Sequence, residues 1–299
     1  MKQKPVQQPA VPKPEVAKQS PSFDGNKAFK YLTTQTDFGP RNVNSVGHQK
    51  CLDYLTAELK KNADKVTLQS FTEKGYNETL RLTNIFASFK PLEHRRILLI
   101  AHWDTRPRAE MDADKENRSK PIPGANDGAS GVAVLLELAS ILKDNPPPIG
   151  VDILLTDGED YGNSEKDGST DLYFLGARYF AKNKPASYTP QFGILLDMIG
   201  DRDLQIPLEQ NSMRFAPTVM NIVWSTAEEI GVTQFVPIPG ESISDDHLLL
   251  NEVGIPTIDL IDFQYPYWHT TQDTPDKCAP ESLEAVGKVL SALIFTKLK

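Results

Sequence analysis

The chain of 299 residues contains only two cysteines, Cys51 and Cys278, and they lie far apart in the sequence. A disulfide framework of the kind that holds small secreted domains together is therefore excluded. We expect both thiols to be unpaired, whereas a single disulfide between them would imply an oxidising compartment. In neither case do the cysteines indicate a function.

The sequence also lacks an excess of basic residues and lacks long apolar runs. Lysine and arginine number 32 against 40 aspartates and glutamates, which gives a formal net charge of −8. No basic patch with interleaved aromatic residues is present, so we expect no nucleic-acid partner. No apolar run approaches the length of a membrane span, so we expect no transmembrane segment.

Residues 1–21 differ in composition from the rest of the chain. They contain no aromatic residue and are rich in proline, lysine, glutamine and valine. Such a segment cannot bury enough apolar surface to order itself, and we expect a disordered leader or linker. Because such spacers often follow a removed export signal, we expect an exported protein, periplasmic or lipid-anchored. Residues 22–299 are expected to form a single catalytic domain.

Predicted strands and helices alternate along the chain. Apolar runs predict strands at Arg96–Ala101, Val151–Thr156, Phe192–Leu196 and Ile255–Ile261, and two earlier strands at Val66–Lys74 and Glu78–Pro91. Helices are predicted at His48–Lys61, Val132–Lys143, Leu172–Lys182, Arg214–Ile230 and Glu281–Lys297. This order indicates an α/β fold, with a mostly parallel twisted central sheet, helices on both faces and antiparallel edge strands.

Acidic residues and histidines recur where the predicted strands end or where a glycine-rich turn begins. In a parallel sheet these strand ends form the edge at which ligands bind. Two histidines and several carboxylates on separate loops are the donors that zinc prefers. The sequence therefore predicts a metal site built from His102, Asp127, Glu159, Asp160, Asp197 and His269.

Taken singly, these residues also have simpler interpretations. Asp127 can cap the helix predicted at Val132, Asp197 can be a turn residue, and His102 can be a hydrogen-bonded core histidine. Together these interpretations would place five polar residues on one sheet edge by accident, although such residues are costly to bury. Within the pair Glu159-Asp160, we expect one carboxylate to bind the metal and the other to act as a base.

A second acidic cluster leaves two interpretations open. In Ser244-Asp245-Asp246-His247, either Ser244 or Asp246 can cap a helix that begins near His247. Asp245 can instead point into the crevice beyond the strand ends.

These motifs, taken in order over Ala28–Lys299, resemble the zinc aminopeptidase-like fold, and within it the glutaminyl cyclases, especially bacterial enzymes of the animal type. The resemblance rests on His102-Trp-Asp104, the turn at Asp127, Asp157-Gly-Glu159-Asp160, Leu196-Asp197-Met-Ile-Gly200, Asp245-Asp246-His247 and Trp268-His269-Thr270.

The resemblance implies different metal contents for the two activities of this fold. Aminopeptidases hold two zinc ions, with His102 and Asp197 as ligands of one, Asp160 and His269 as ligands of the other, and Asp127 as the bridge. Cyclases typically bind one zinc, through Asp127, Asp160 and His269. In a cyclase, Glu159 would be the general acid and base, Asp197 and Asp245 would form a hydrogen-bond network around it, and Trp268 and Tyr265 would line the pocket.

Some features favour each activity. Trp268 directly before His269 and Asp245 directly before Asp246-His247 are typical of cyclases. Asp160 stands where animal cyclases carry glutamate, the loop after it lacks their tryptophan, and the tail from His269 to Thr274 is common in peptidases. We expect a one-zinc cyclase that converts N-terminal glutamine of peptides or proteins to pyroglutamate with release of ammonia. The alternative is a two-zinc aminopeptidase.

Overall fold

The computed structural model describes residues 20–163, 166 and 168–298. The leader expected at residues 1–21 therefore lies outside the described residues except for Ser20 and Pro21. The carbonyl of Pro21 accepts a hydrogen bond of 2.8 Å from the Ser291 hydroxyl, and Phe23 is buried in the main core. Export of the protein remains a prediction.

One sheet of six strands organises the molecule, and its order is β1-β2-β4-β3-β5-β8. Strands β3, β4, β5 and β8 are mutually parallel, whereas β2 runs antiparallel to both of its neighbours, β1 and β4. The predicted mostly parallel sheet with an antiparallel edge is thus confirmed. The strand bounds are Lys65–Lys74 (β1), Thr79–Phe89 (β2), Arg96–His102 (β3), Gly150–Thr156 (β4), Gly193–Asp197 (β5) and Thr257–Ile261 (β8).

Helices cover both faces of this sheet, as the apolar strands predicted. Along β3, Leu99 and Ala101 belong to the larger core, while Leu98 and Ile100 belong to a second core on the opposite face. The helices that pack into the larger core are α1 (Gly25–Asp37), α2 (Val46–Asn62), α3 (Ser130–Asp144), α6 (Pro217–Glu229) and α8 (Pro280–Ala292). The second core is covered by α4 (Leu175–Asn183) and α7 (Asp246–Glu252).

The predicted helix Arg214–Ile230 is wrong as a single element. The chain forms α5 (Gln210–Phe215) and then α6, because Pro217 has no N–H group and disfavours a helical conformation at the residue before it. Ala216 accordingly adopts φ −136° and ψ 49°. The helix predicted from Leu172 begins only at Leu175, because Phe174 has a left-handed backbone conformation with φ 58°.

Other elements also differ from the sequence prediction. Helix α8 ends at Ala292 and continues as a π-helical turn, Leu293–Lys297, within the range predicted as one helix. Helix α1 was not predicted, and neither was the small parallel pair of β6 (Ile206–Leu208) and β7 (Phe235–Pro239). Cys51 and Cys278 are buried and unpaired, as expected. Over the described part of the chain, no helix has the length and apolar character needed to cross a bilayer.

Glu209 fixes the start of α5 and links it to the loop before α7. Its carboxylate accepts hydrogen bonds from the backbone N–H groups of Asn211 at 2.8 Å, of Ser212, and of Ile243 at 3.0 Å. His247 Nε2 lies 3.5 Å away. Burial alone would raise the pKa of Glu209, but these interactions outweigh burial and lower the pKa to about 2.

We predict that Glu209 contributes stability in a defined pH range. Because its folded-state pKa lies below its usual value, the contribution is present above pH ~4.5 and is lost as the pH falls towards ~2. Glu209→Gln should lower the free energy of unfolding by about 1–3 kcal/mol at pH 7, as expected for hydrogen bonds to a charged group. Urea unfolding at pH 7, 4 and 2.5 tests this, with the exposed Glu73→Gln as the control. A difference between wild type and Glu209→Gln that does not shrink at low pH would contradict the assignment.

Candidate active site

The predicted site residues converge beyond the carboxyl ends of the central strands. His102 is the last residue of β3, Asp197 is the last residue of β5, and Glu159-Asp160 follow β4. Seven of the predicted residues line a cavity of about 320 Å³: Asp127, Glu159, Asp160, Asp197, Asp245, Trp268 and His269. His102 lies behind the cavity wall and is only 2% exposed.

Asp127, Asp160 and His269 form a cluster whose donor atoms lie within 4.8 Å of one another. His269 Nε2 is 3.7 Å from Asp127 Oδ2 and 3.4 Å from Asp160 Oδ2. Both of these oxygens are buried and have no hydrogen-bond partner. Buried, unpaired carboxylate oxygens are costly unless a cation compensates them. One imidazole and two carboxylates therefore fit a zinc ion in this cluster.

A second cluster shares Asp127 with the first. His102 Nε2 lies 3.3 Å from Asp127 Oδ1 and 3.1 Å from Asp197 Oδ1. The two oxygens of Asp127 therefore face different histidines, and the arrangement contains the ligands of both possible zinc positions. Burial opposes protonation of His102, but its hydrogen bonds to Asp104, Asp127 and Asp197 raise its pKa well above the usual value.

The structure excludes the interpretation of Asp127 as a helix cap. Helix α3 begins at Ser130, and its N-cap residue, Ala129, makes no side-chain capping bond. The turn with Asp127 is held by Asp273, whose carboxylate accepts hydrogen bonds from the N–H groups of Asn126 at 2.8 Å and Asp127 at 3.1 Å. Gly128, with φ 104°, completes the turn, since a Cβ atom there would lie 2.4 Å from a backbone oxygen.

Glu159 and Asp160 have opposite electrostatic environments. Their backbone N–H groups both donate to the carboxylate of Asp104, at 3.0 and 3.3 Å. Burial, followed by the charges of Asp160 and Asp245, raises the pKa of Glu159 well above its usual value. Burial acts in the same direction on Asp160, but Arg106 and His269 outweigh it and hold its pKa below the usual value. Neighbouring carboxyl groups whose pKa values are driven apart are typical of a site in which they have different roles.

The cap of helix α7 is Asp245 and neither Ser244 nor Asp246, and Asp245 also lines the cavity, as the second interpretation predicted. It is the N-cap of α7, with Oδ1 accepting from the N–H of Asp246, while Oδ2 is buried without a hydrogen-bond partner. Burial, and then the charges of Asp197 and Asp246, raise the pKa of Asp245 well above its usual value. Asp246 is turned away from the cavity, and its carboxylate accepts a hydrogen bond of 2.6 Å from Thr156.

Aromatic side chains close the cavity. Trp268 stacks on His269, with ring centroids 3.8 Å apart and planes inclined by 25°, and Phe263 lies 5.0 Å from Trp268. The loop after Asp160 has no tryptophan, but its end contributes Tyr173 and Phe174 to the lining.

Tyr265 is a correction to the predicted pocket wall. It is 3% exposed and does not line the cavity, and its hydroxyl donates a hydrogen bond of 2.7 Å to Asp273. Tyr265 therefore acts on the site indirectly, through the aspartate that orients the turn of Asp127.

Three residues of the cavity wall have left-handed backbone conformations, although none is glycine. They are Phe174 at φ 58°, Met198 at φ 47° and His269 at φ 54°. Such conformations are unfavourable for residues with side chains and accumulate at functional sites. Here each one redirects the chain directly beside the cavity.

Several residues that support the site were not predicted from the sequence. Arg106 pairs with Asp160 and Glu110, and Glu110 Oε1 lies 3.2 Å from His269 Nδ1. Arg41 is fully buried and donates hydrogen bonds to the carbonyls of Trp103, Pro123 and Gly124. Asp273 could have been predicted as a site residue, because it belongs to the tail from His269 to Thr274 that was identified in the sequence. The loop that carries Arg106 and Glu110 has no periodicity from which contacts can be predicted.

Comparison with known proteins agrees with this geometry. The glutaminyl cyclase of Bacteroides thetaiotaomicron, solved with N-acetylhistamine, is 39% identical and superimposes with a TM-score of 0.90 over 93% of this chain and 99% of its own. A protein named a leucine aminopeptidase precursor, from the same organism, is 40% identical with a TM-score of 0.90 over 94% of this chain and 99% of its own.

The similarity extends to animal proteins and to a family model. The glutaminyl-peptide cyclotransferase-like protein of Bos taurus is 25% identical over 85% of this chain and 71% of its own length. These matches confirm the resemblance to glutaminyl cyclases and to the zinc aminopeptidase-like fold. Residues 84–294 match the model of peptidase family M28. This range includes the strands and loops that build the site. The chain therefore belongs to peptidase family M28.

Proposed function

We propose that residues 22–299 form a zinc-dependent glutaminyl cyclase, which converts N-terminal glutamine of peptides or proteins to pyroglutamate and releases ammonia. The observation that carries this proposal is the small cavity beside Asp127, Asp160 and His269, which is walled by an aromatic ring stacked on His269. Such a cavity suits a short side chain folded back on its own amine. The similarity to bacterial glutaminyl cyclases over nearly their whole length supports the same activity.

The proposed reaction closes a ring within the substrate. The α-amine of the N-terminal glutamine attacks the carbon of its γ-amide, a C–N bond forms, and the bond to the departing nitrogen breaks. Zinc, held by Asp127, Asp160 and His269, would polarise the γ-carbonyl and stabilise negative charge on its oxygen. Glu159 would accept the proton from the amine and return it to the departing nitrogen, which leaves as ammonia.

Asp245 and Asp197 would keep Glu159 suited to this transfer. Both line the cavity with Glu159, and the charge of Asp245 contributes to the raised pKa of Glu159. A carboxyl group with a raised pKa is a better proton acceptor when ionised and a ready donor once protonated. Glu159 and Asp245 cannot both be ionised cheaply in a buried site, so they would share a proton.

A second candidate function is that of a two-zinc aminopeptidase. It is favoured by the cluster of His102, Asp127 and Asp197, whose donor atoms also lie within 4.8 Å of one another. The similarity to a protein named a leucine aminopeptidase precursor supports it as well. Hydrolysis would place the peptide bond to the second residue and a water molecule beside the metal ligands. Ring closure places only the γ-amide of the first residue there. The cavity walled by Trp268 therefore favours the cyclase.

The first prediction concerns metal content. A cyclase should contain about one zinc per chain, and Asp160→Asn should lose it because one of three protein ligands is weakened. Asp197→Asn should keep the zinc, since Asp197 would not bind metal in a cyclase. Elemental analysis of dialysed proteins measures this. Two tightly held zinc ions, one of them lost in Asp197→Asn, would favour the aminopeptidase.

The second prediction concerns the base. Glu159→Gln is nearly isosteric but cannot accept a proton, so kcat for cyclisation of a Gln-peptide should fall ~100-fold or more. Zinc content and melting temperature should remain close to those of the wild type. Ammonia release, measured in a coupled assay, gives the rate. A variant that retains most of the wild-type rate would show that another group, such as Asp245, takes the proton.

The third prediction concerns the aromatic wall. Trp268→Ala should raise KM for Gln-peptides and weaken inhibition by N-acetylhistamine. This imidazole compound is bound in the crystal structure of a similar cyclase. Trp224 provides the matched control, because it packs on Phe235 in the main core, away from the cavity. Trp224→Ala should instead lower stability by roughly 3–5 kcal/mol and leave KM unchanged. A Trp268→Ala variant with lowered melting temperature but unchanged KM would mean that Trp268 is only a core residue.

A further inference from the structure

Two charged residues outside the predicted ligand set connect two of its members. Arg106 and Glu110 lie on the loop after β3 and both line the cavity. The side chain of Arg106 is 4% exposed and that of Glu110 is 23% exposed. Arg106 contacts Asp160 Oδ1 and Glu110 contacts His269 Nδ1. These are not the two ligand atoms that face each other, Asp160 Oδ2 and His269 Nε2.

Arg106 occupies one oxygen of Asp160 and leaves the other free. Its guanidinium pairs with Asp160 Oδ1 and also donates to the Asp160 carbonyl at 3.1 Å. Asp160 Oδ2, the oxygen that faces His269, has no hydrogen-bond partner. The remaining donors of Arg106 bind Glu110 at 2.6 Å and the Tyr173 hydroxyl at 3.1 Å, so the guanidinium is fixed on three sides.

Glu110 extends this connection to the histidine. Glu110 Oε1, the oxygen that accepts from Arg106, lies 3.2 Å from His269 Nδ1. The contact lacks hydrogen-bond geometry, but a carboxylate this close to Nδ1 favours the ring state that carries the proton there and leaves Nε2 free to bind a metal, and it restricts the orientation of the ring. The two residues carry opposite charges, so together they orient the ligands without changing the net charge of the site.

We propose that Arg106 and Glu110 act as one positioning unit for zinc: Arg106 restricts Asp160 to a single metal-binding oxygen, and Glu110 orients His269. The inference rests on the proposed ligand set Asp127, Asp160 and His269. Neither residue takes part in the chemical step. Each residue contacts a ligand and the two contact each other, so the removal of one changes the electrostatic surroundings of the other, and the two should be coupled energetically.

The chain offers a matched control in Arg108. This residue lies on the same loop and donates to the carbonyls of Tyr161 at 2.8 Å and Gly162 at 2.7 Å, directly after Asp160. It therefore supports the same segment of chain, but its hydrogen bonds go to backbone carbonyls and not to a ligand side chain. An effect caused by general loosening of the loop would appear in Arg108→Gln as well.

The experiment measures the affinity of the full-length apoprotein for zinc alone, by competition with a chromophoric chelator. Arg106→Gln and Glu110→Gln should each weaken zinc binding about 10–100-fold, as is typical when the partner of a metal ligand is lost. The double variant should lose less than the product of the two single losses. Arg108→Gln should stay within about threefold of the wild type, a margin given by the context dependence of such contributions.

Cobalt substitution gives a readout that does not depend on activity. If Arg106 restricts Asp160 to one oxygen, the visible absorption of the Co(II) protein should weaken in Arg106→Gln, because a second carboxylate oxygen raises the coordination number. Arg106→Lys keeps the charge but lacks the planar fork, so it should restore zinc affinity only in part. Should a glutamine variant unfold, Arg106→Lys and Glu110→Asp provide the same comparison in milder form.

Three results would count against the inference, and the first two would overturn the positioning role itself: wild-type zinc affinity in Arg106→Gln and Glu110→Gln, or an equal loss of affinity in Arg108→Gln. Strictly multiplicative losses in the double variant would also refute a single unit. The outcome is separable from the proposed function. A wild-type protein that cleaves aminoacyl amides instead of cyclising Gln-peptides would refute the cyclase, while the affinity series would still decide on Arg106 and Glu110.

Discussion

The concentration of buried carboxyl groups at one edge of the sheet is the constraint on which the rest of the structure depends. Asp127 lies at its centre, with Oδ1 towards His102 and Oδ2 towards His269. Burial raises the pKa of Asp127, and so does the charge of Asp160. Such a cluster is unfavourable without cations or shared protons, and the structure provides fixed positions for both. The geometry of the site therefore suits a metal ion.

The fold meets this constraint by building the site on rigid elements. The central strands are covered on both faces by apolar side chains, so their carboxyl ends have fixed positions. The turn of Asp127 is not part of a strand, and it depends on Asp273 and on Arg41 behind it. Burial raises the pKa of Asp273 to about 7, and the charge of Asp127 acts in the same direction. A second layer of polar groups therefore orients the first, as metal sites generally require.

Much of this arrangement could be predicted from the sequence, because it follows from strands that end in polar residues. His102 and Asp197 end strands, and Glu159 and Asp160 follow one, so their meeting at one edge follows from a parallel sheet. What could not be predicted depends on loop conformation and on single residues. Arg106 and Glu110 lie in a loop without a periodic hydrophobic pattern, so their contacts could not be predicted. The side chain of Tyr265 is turned to Asp273 by a turn that has no sequence signature. The break before α6 could have been anticipated, because Pro217 interrupts the apolar pattern of the predicted helix.

The choice between ring closure and hydrolysis depends on the space beside the ligands rather than on the ligands themselves. Both clusters around Asp127 are present, so the donor set alone is compatible with one zinc or two. The carboxyl groups around the cavity, however, differ from one another in their pKa values. Asp160 is held ionised by Arg106, whereas Glu159 and Asp245 have raised pKa values and favour shared protons.

A proton shared beside the base suits a reaction that moves one proton within the substrate. Both reactions need an ionised proton acceptor, but hydrolysis also needs a water molecule beside the metal, whereas ring closure uses the amine of the substrate itself. Trp268, stacked on His269, lines the cavity directly beside a proposed metal ligand and leaves a small space there, which suits a side chain folded back on its own amine. The metal ligands are therefore common to both reactions, and the aromatic wall beside His269 is the feature that favours cyclisation.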